Sequence, residues 1–244
     1  MKPAVIITRR ELASYFATPI AYVVLAIFLL MANLFAFGFG QLYERGQADL
    51  APFFNFLPWL YLFLIPAVSM RLWSEERKSG SIELLLTQPV TLWQAVLGKF
   101  VAAWIFVGIA LALTFPLWIT INYLGNPDNG TILAAYLGSL FVAGGFLAVG
   151  SLMSSLTKNQ LVAFLLSGWV CFLFLLAGFP VVTDWLGSWA PQWLVDSVAS
   201  LSFLTHFENI TKGVLDLRDL LYYGLVTVFF LLASTVVLDT RKSK

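Results

Sequence analysis

Arg71-Leu72-Trp73-Ser74-Glu75-Glu76-Arg77-Lys78-Ser79-Gly80-Ser81-Ile82-Glu83 is the stretch on which the reading of this chain turns, because it is the only charge cluster lying between apolar segments. On one side stand 21 uncharged residues, Leu50 to Met70, and on the other, after Lys99, 28 more, Phe100 to Pro127. A polar segment between two runs of that length has to lie in water, since about 20 helical residues suffice to cross roughly 30 Å of hydrocarbon. It carries both signs of charge and re-enters a helical pattern at Ile82-Glu83-Leu84, which suits it to being gripped by a soluble partner.

Working outward, further uncharged runs follow at Pro19 to Tyr43, Asn129 to Thr157, Asn159 to Thr183 and Leu220 to Leu238. Six membrane spans are therefore predicted. With 60% apolar and 11% charged residues the composition lies far outside that of soluble domains. Helices fit better than a barrel, because Val23 to Met31 and Leu161 to Ala177 are apolar almost all round instead of alternating. The fold class is all-α and polytopic. The first run is long enough to span and lacks a convincing small-residue cleavage pattern, so it reads as an anchor and not a cleaved leader.

The positive charges orient the chain. With the N-terminus inside, 11 of the 14 basic residues fall on inner segments and only Arg45, Lys212 and Arg218 fall outside, so both termini are expected in the cytoplasm. The net charge of +1 conceals this polarity and gives no basic stripe for nucleic acid. Residues 1–18 read as a short amphipathic cytoplasmic helix, with Val5, Leu12 and Phe16 on one side, Tyr15 adjacent, Arg9 at the edge, and Arg10 and Glu11 turned away. Residues 19–244 then form the membrane domain. Pro52, Pro58 and Pro66 predict kinks around the second span, and the small residues of the fourth, Gly138 to Ser155, predict close packing or a polar pathway lining. Between the last two spans, residues 181–219 are too polar to cross. Trp185, Trp189 and Trp193 recur every four residues there, interrupted by Pro191, as expected of short helices at or dipping into the outer interface.

Signals for catalysis are sparse. His206 is the only histidine and reads as structural, and the lone Cys171 sits in the fifth span as a packing residue with no second thiol for a metal site. No span carries a charge deep in its interior, which disfavours an ion-coupled carrier. Gly98-Lys99 fails the Walker pattern on both sides, so no catalytic, cofactor or metal site is expected on this chain.

The segment Glu75 to Val90, with Gly98-Lys99 following, resembles the first cytoplasmic loop of type-2 ABC exporter permeases, whose typical form is E-x-G-[ST]-x-E-x-L-L-x-x-P; Lys78 replaces a frequent carboxylate. Ser202 to Asp219 resembles the gliding-motility branch of that family. The resemblance implies the type V exporter membrane fold, in the bacterial cytoplasmic membrane. It also implies an elbow helix at residues 1–18 (Arg9, Arg10, Glu11), a coupling helix at 75–88 and re-entrant helices at 181–219 (Trp185, Trp189, Trp193, His206). Glu75, Glu76, Arg77, Lys78, Ser79, Gly80, Ser81 and Glu83 would contact the ATPase, with Ser79-Gly80-Ser81 opening the helix and Glu83 in its first turn. Two ABC ATPase subunits, holding ATP and Mg, a second permease copy or a paralogue, and membrane lipid are the implied partners. The alternative is a membrane scaffold whose ATPase drives a mechanical or assembly process such as gliding.

Overall fold

The computed structural model describes residues 3–81 and 90–240, and among these every regular element is helical. In chain order they are α1 (Pro3–Ala17), α2 (Pro19–Asn33) running into a π-turn at Leu34–Phe39, α3 (Ala51–Ser69), α4 (Arg71–Ser79), α5 (Leu92–Ala112), α6 (Phe115–Leu124), α7 (Asn129–Leu156), α8 (Gln160–Leu176), α9 (Pro180–Gly187), α10 (Gln192–Ser200), α11 (Phe203–Thr211) and α12 (Leu217–Thr240).

Five helical stretches are long and apolar enough to cross a membrane: 19–39, 51–79, 92–124, 129–156 and 217–240. α8 joins them as a sixth only when taken with α9, from which it bends by 68°. The uninterrupted span expected over Asn159 to Thr183 is thus broken after Leu176, where Gly178 and Pro180 interrupt the ladder and Gly178 lies against Ser202 and Thr205.

The local chemistry sets the helix ends. Thr91 and Gln94 form a reciprocal capping box that starts α5 well before the apolar run, so Lys99 lies inside the helix and not in a loop. Asp128 accepts from Thr131 N at 3.2 Å, from Thr131 Oγ1 at 2.9 Å and from Gly130 N at 2.9 Å and opens α7; these bonds hold its carboxyl below the ordinary value. Gly80, at φ 73°, ends α4 in the left-handed conformation that favours glycine. Of the coupling helix expected over 75–88, residues 75–79 thus belong to the helix over 71–79 that Gly80 closes, so Ser79-Gly80-Ser81 ends a helix instead of opening one, and residues 82–88, including Glu83, lie outside the described residues.

α7 is the central post, packed against α3, α4, α5, α8, α11 and α12. Its small residues are the close-packing face: an added Cβ at Gly138 would meet Ile210 at 2.5 Å, at Gly145 Phe203 at 2.5 Å, and at Gly150 the Cβ of Ser69 at 2.5 Å. α11 thereby lies along α7 from Gly145 to Gly138, about 10 Å at the helical rise, and Gly213 just beyond it meets Thr131. Arg9, Arg10, Arg71, Arg77, Lys78 and Lys99 make the end of the bundle bearing α1, α4 and the start of α5 its basic end.

Candidate functional site

The charged stretch that dominates the sequence is built into the bundle. α4 continues almost directly from α3, and at the break at Met70 the Ser154 hydroxyl of α7 takes up the backbone groups freed by the kink. Ser154 Oγ donates to Met70 O at 3.0 Å and accepts from Trp73 N at 3.1 Å and Ser74 N at 3.2 Å. Trp73 is fully buried, and its indole Nε1 donates to Ser151 Oγ at 3.1 Å. Arg77 donates to the Ser155 carbonyl at the end of α7. These bonds clamp one face of α4 to α7.

Lys99 clamps the next face. Its ammonium is 3.2 Å from Glu11 Oε2 on α1 and 2.9 Å from Glu76 Oε1 on α4, and lies 5.3 Å from the centre of the Trp73 ring. The Lys99 side chain is only 4% exposed and each carboxylate 18%, so the three charges exclude most water and depend on one another. Arg10 adds a second cation at 2.6 Å from Glu11 Oε1. Burial pushes the Glu11 carboxyl up, but Lys99 and Arg10 together outweigh it and hold the group below its ordinary value. α1 is seated by more than charge. Ile7 and Ala4 sit where a Cβ on Gly98 would be, Thr8 Oγ1 donates to Gly98 O at 3.1 Å, and Tyr15 stacks on Phe106 at 5.1 Å.

α1, α4 and α5 together border an open cleft of 540 Å³. It is lined from α1 by Arg10, Glu11, Ser14, Tyr15 and Thr18, from α4 by Arg71, Leu72, Glu75 and Glu76, and by Ser81 and Lys99. Three cations and three carboxylates face it, and its charge sums to zero.

The residues singled out from sequence fall into distinct places. Glu76 turns inward to Lys99, whereas Glu75 is 58% exposed, with Oε2 4.0 Å from Arg71 Nε. Lys78 points to solvent, and Ser79 bonds to Glu75 O at 3.0 Å and to Ser81 at 2.8 Å. On α1, Arg9 is exposed, Glu11 faces the bundle instead of turning away, and Val5 is exposed while Ile7 takes the buried position. Sequence reasoning missed the Lys99 triad. Its one available signal was the capping box at Thr91 and Gln94, which puts Lys99 on a helix among apolar neighbours.

At the opposite end the aromatic segment does not converge. Trp185 and Trp189 meet edge to face at 5.5 Å, but Trp193 is on the next helix, beyond the break at Pro191, and all three are more than 60% exposed. His206 is buried apart from them: Nδ1 is 2.6 Å from Asp219 Oδ1, Nε2–H donates to Ser200 O at 3.0 Å, and the ring stacks on Tyr222 at 4.0 Å. Its contacts join α10, α11 and α12. Cys171 is buried against Phe146, a packing position.

Comparison with known proteins agrees with this architecture. Heme exporter protein B of Rhodobacter capsulatus is 33% identical over 104 residues, 42% of this chain and 46% of its own. Heme exporter protein B of Paracoccus denitrificans is 32% identical over 115 residues, 46% of this chain and 50% of its own. A probable multidrug ABC transporter permease of Escherichia coli, YbhR, is 27% identical over 144 residues, 58% of this chain and 37% of its own. The chain thus spans half or less of the length of these relatives. The family model described as ABC-2 family transporter protein matches residues 11–240, from the Glu11 that reaches Lys99 to the end of α12. On that match, and with its several helices long enough to span a membrane, this chain belongs to the ABC-2 family of transporter permeases.

Proposed function

We propose that this chain is the membrane half of an ATP-driven exporter of the bacterial cytoplasmic membrane. It works as a dimer and takes its energy from separate ATPase subunits that hold ATP and Mg. The observation that carries the reading is mechanical. α4, which leads into residues 82–89, is bonded to α7 through Ser151, Ser154 and Ser155 and to α1 and α5 through Lys99. A push on a helix fixed on two faces moves its neighbours instead of being absorbed locally, and packed helices respond by shifting between discrete arrangements. Nucleotide binding on the ATPase then favours one packing of the spans over another, and substrate access follows that population.

In this reading the basic end is cytoplasmic, α1 is the elbow helix and residues 75–88 are the coupling segment. α9 to α11 are the outer interfacial and re-entrant helices. The names of the related proteins, an exporter in one case and a probable multidrug transporter permease in the other, support transport over a purely mechanical scaffold of the gliding-motility kind.

The test is substitution of Gly80 by proline, whose ring fixes φ near −65° and cannot adopt the 73° seen here. In reconstituted vesicles containing permease and ATPase, Gly80→Pro is expected to leave the permease folded and assembled and to abolish ATP-dependent transport. Transport at the normal rate with normal expression refutes the coupling role.

A further inference from the structure

Among the described residues, the amide side chains within the spans lie within four residues of a span end, as Asn55, Gln94, Asn122, Asn129 and Gln160 do, with one exception. Asn33 is exposed on α2 six residues before the first span ends at Phe39, about 9 Å from that end and about 21 Å from the other at the helical rise. Its one hydrogen bond among the described residues runs from Nδ2–H to Leu29 O at 2.7 Å, so its second N–H and its Oδ1 have no partner there. A polar group left unpaired in hydrocarbon is costly, because no water reaches it, and it calls for a protein partner.

The surface around Asn33 is patterned for a helix. α2 buries Ala21, Leu25, Phe28 and Ala32 on one side. Val23, Ala26, Leu30 and Asn33 are all exposed and follow one another at spacings of three, four and three residues, the pattern of a seam along which two helices pack side by side. Ala26 lets the two backbones approach closely. α12 also has a broad exposed face, but from Leu221 to Val236 every exposed residue on it is apolar and suits lipid. A single amide in an otherwise apolar seam is a device that fixes register and copy number between paired helices.

We propose that α2 packs against α2 of a second copy of this chain along Val23, Ala26, Leu30 and Asn33, with the two Asn33 amides hydrogen-bonded to each other. The unmet needs of Asn33 are one acceptor and one donor, and a second asparagine amide supplies both, whereas a hydrocarbon chain supplies neither. Two copies inserted the same way and related by a two-fold axis along the membrane normal bring the two residues to the same depth, so each donates an N–H to the Oδ1 of the other. The inference rests on the dimer of the proposed function and names its contact.

Oxidative cross-linking of the full-length permease in native membranes tests the contact, with Cys171→Ala as background and single cysteines placed along α2. Disulfide-linked dimers are expected from Val23→Cys, Ala26→Cys, Leu30→Cys and Asn33→Cys, and not from Ile20→Cys or Met31→Cys, which are exposed on the other flank of the helix. Single-molecule photobleaching in liposomes over a dilution series then measures the dimer itself. Asn33→Leu is expected to weaken it about five- to thirty-fold, the equivalent of one interhelical hydrogen bond in a membrane, while Asn33→Gln, which keeps donor and acceptor, retains most of the affinity. Cross-linking as strong at Met31 as at Leu30 overturns the proposal, as does Asn33→Leu dimerising like wild type. Labelling of Asn33→Cys by a water-soluble maleimide without cross-linking also overturns it, since the amide then faces an aqueous pathway. A wild type that stays monomeric at every dilution overturns the dimeric reading as well, whereas a dimer that forms without cross-links on this seam overturns only the contact named here.

Discussion

Replacing Lys99 by methionine removes one cation from between two largely buried carboxylates while keeping an apolar stem of similar length against Trp73. Deleting one partner of a buried ion pair costs about 3–5 kcal/mol, most of it the penalty of the charge left behind. Here the two carboxylates do not suffer equally. Glu11 retains Arg10 at 2.6 Å, whereas Glu76 loses the one ion-pair partner it has among the described residues, so the lower part of the range, about 3 kcal/mol, applies. For a chain of this size each kcal/mol corresponds to about 2–4 °C, so Lys99→Met is expected to unfold about 6–12 °C below wild type in a detergent thermal-melt assay. The double variant Lys99→Met/Glu76→Gln removes the orphaned charge as well and is expected to recover at least about half of that loss, since apolar or neutral replacements of whole buried ion pairs are often tolerated. Two results refute the reasoning: Lys99→Met melting within about 2 °C of wild type, or the double variant melting no higher than the single one.

Two further expectations follow from the same end of the bundle. Ser154→Ala removes the oxygen that accepts from Trp73 N and Ser74 N, at about 1–3 kcal/mol for a buried donor left unsatisfied, and it is expected to raise hydrogen exchange selectively at those two amides; unchanged exchange there counts against the clamp. The Glu11 carboxyl is held below its ordinary value in the folded protein, so its contribution to seating α1 is present above that value and is lost as pH falls through the depressed one. Exchange over residues 3–17, corrected for intrinsic rates, is therefore expected to rise on acidification in wild type and to lose that acid-dependent rise in Glu11→Gln; identical profiles for the two proteins contradict the assignment.

Long-range properties of this chain were legible from composition and spacing. Uncharged runs of about 20 residues have one stable solution in hydrocarbon, so the helical class and the approximate places of the spans follow from the sequence alone. The shortening of the fifth run to Gln160–Leu176 was harder to see, because Gly178-Phe179-Pro180 is apolar and hydropathy does not register a backbone break. The aromatic segment shows the same limit, since spacing of four puts Trp185, Trp189 and Trp193 on one face only if a single helix carries them, and Pro191 divides it.

What the sequence by itself determined is which residues must avoid water, the helical class that this imposes, and the likeness of residues 75–90 to a known permease loop. Only the tertiary structure decided which charges point where. A charge near a membrane end is satisfied by solvent or by a partner, and for Lys99 the partners are Glu11, 88 positions earlier, and Glu76, 23 positions earlier. Sequence separation carries no information about such pairings. They exist because α1 is seated against Gly98 and α4 against Ser154, and those close approaches are properties of packed helices rather than of any local pattern.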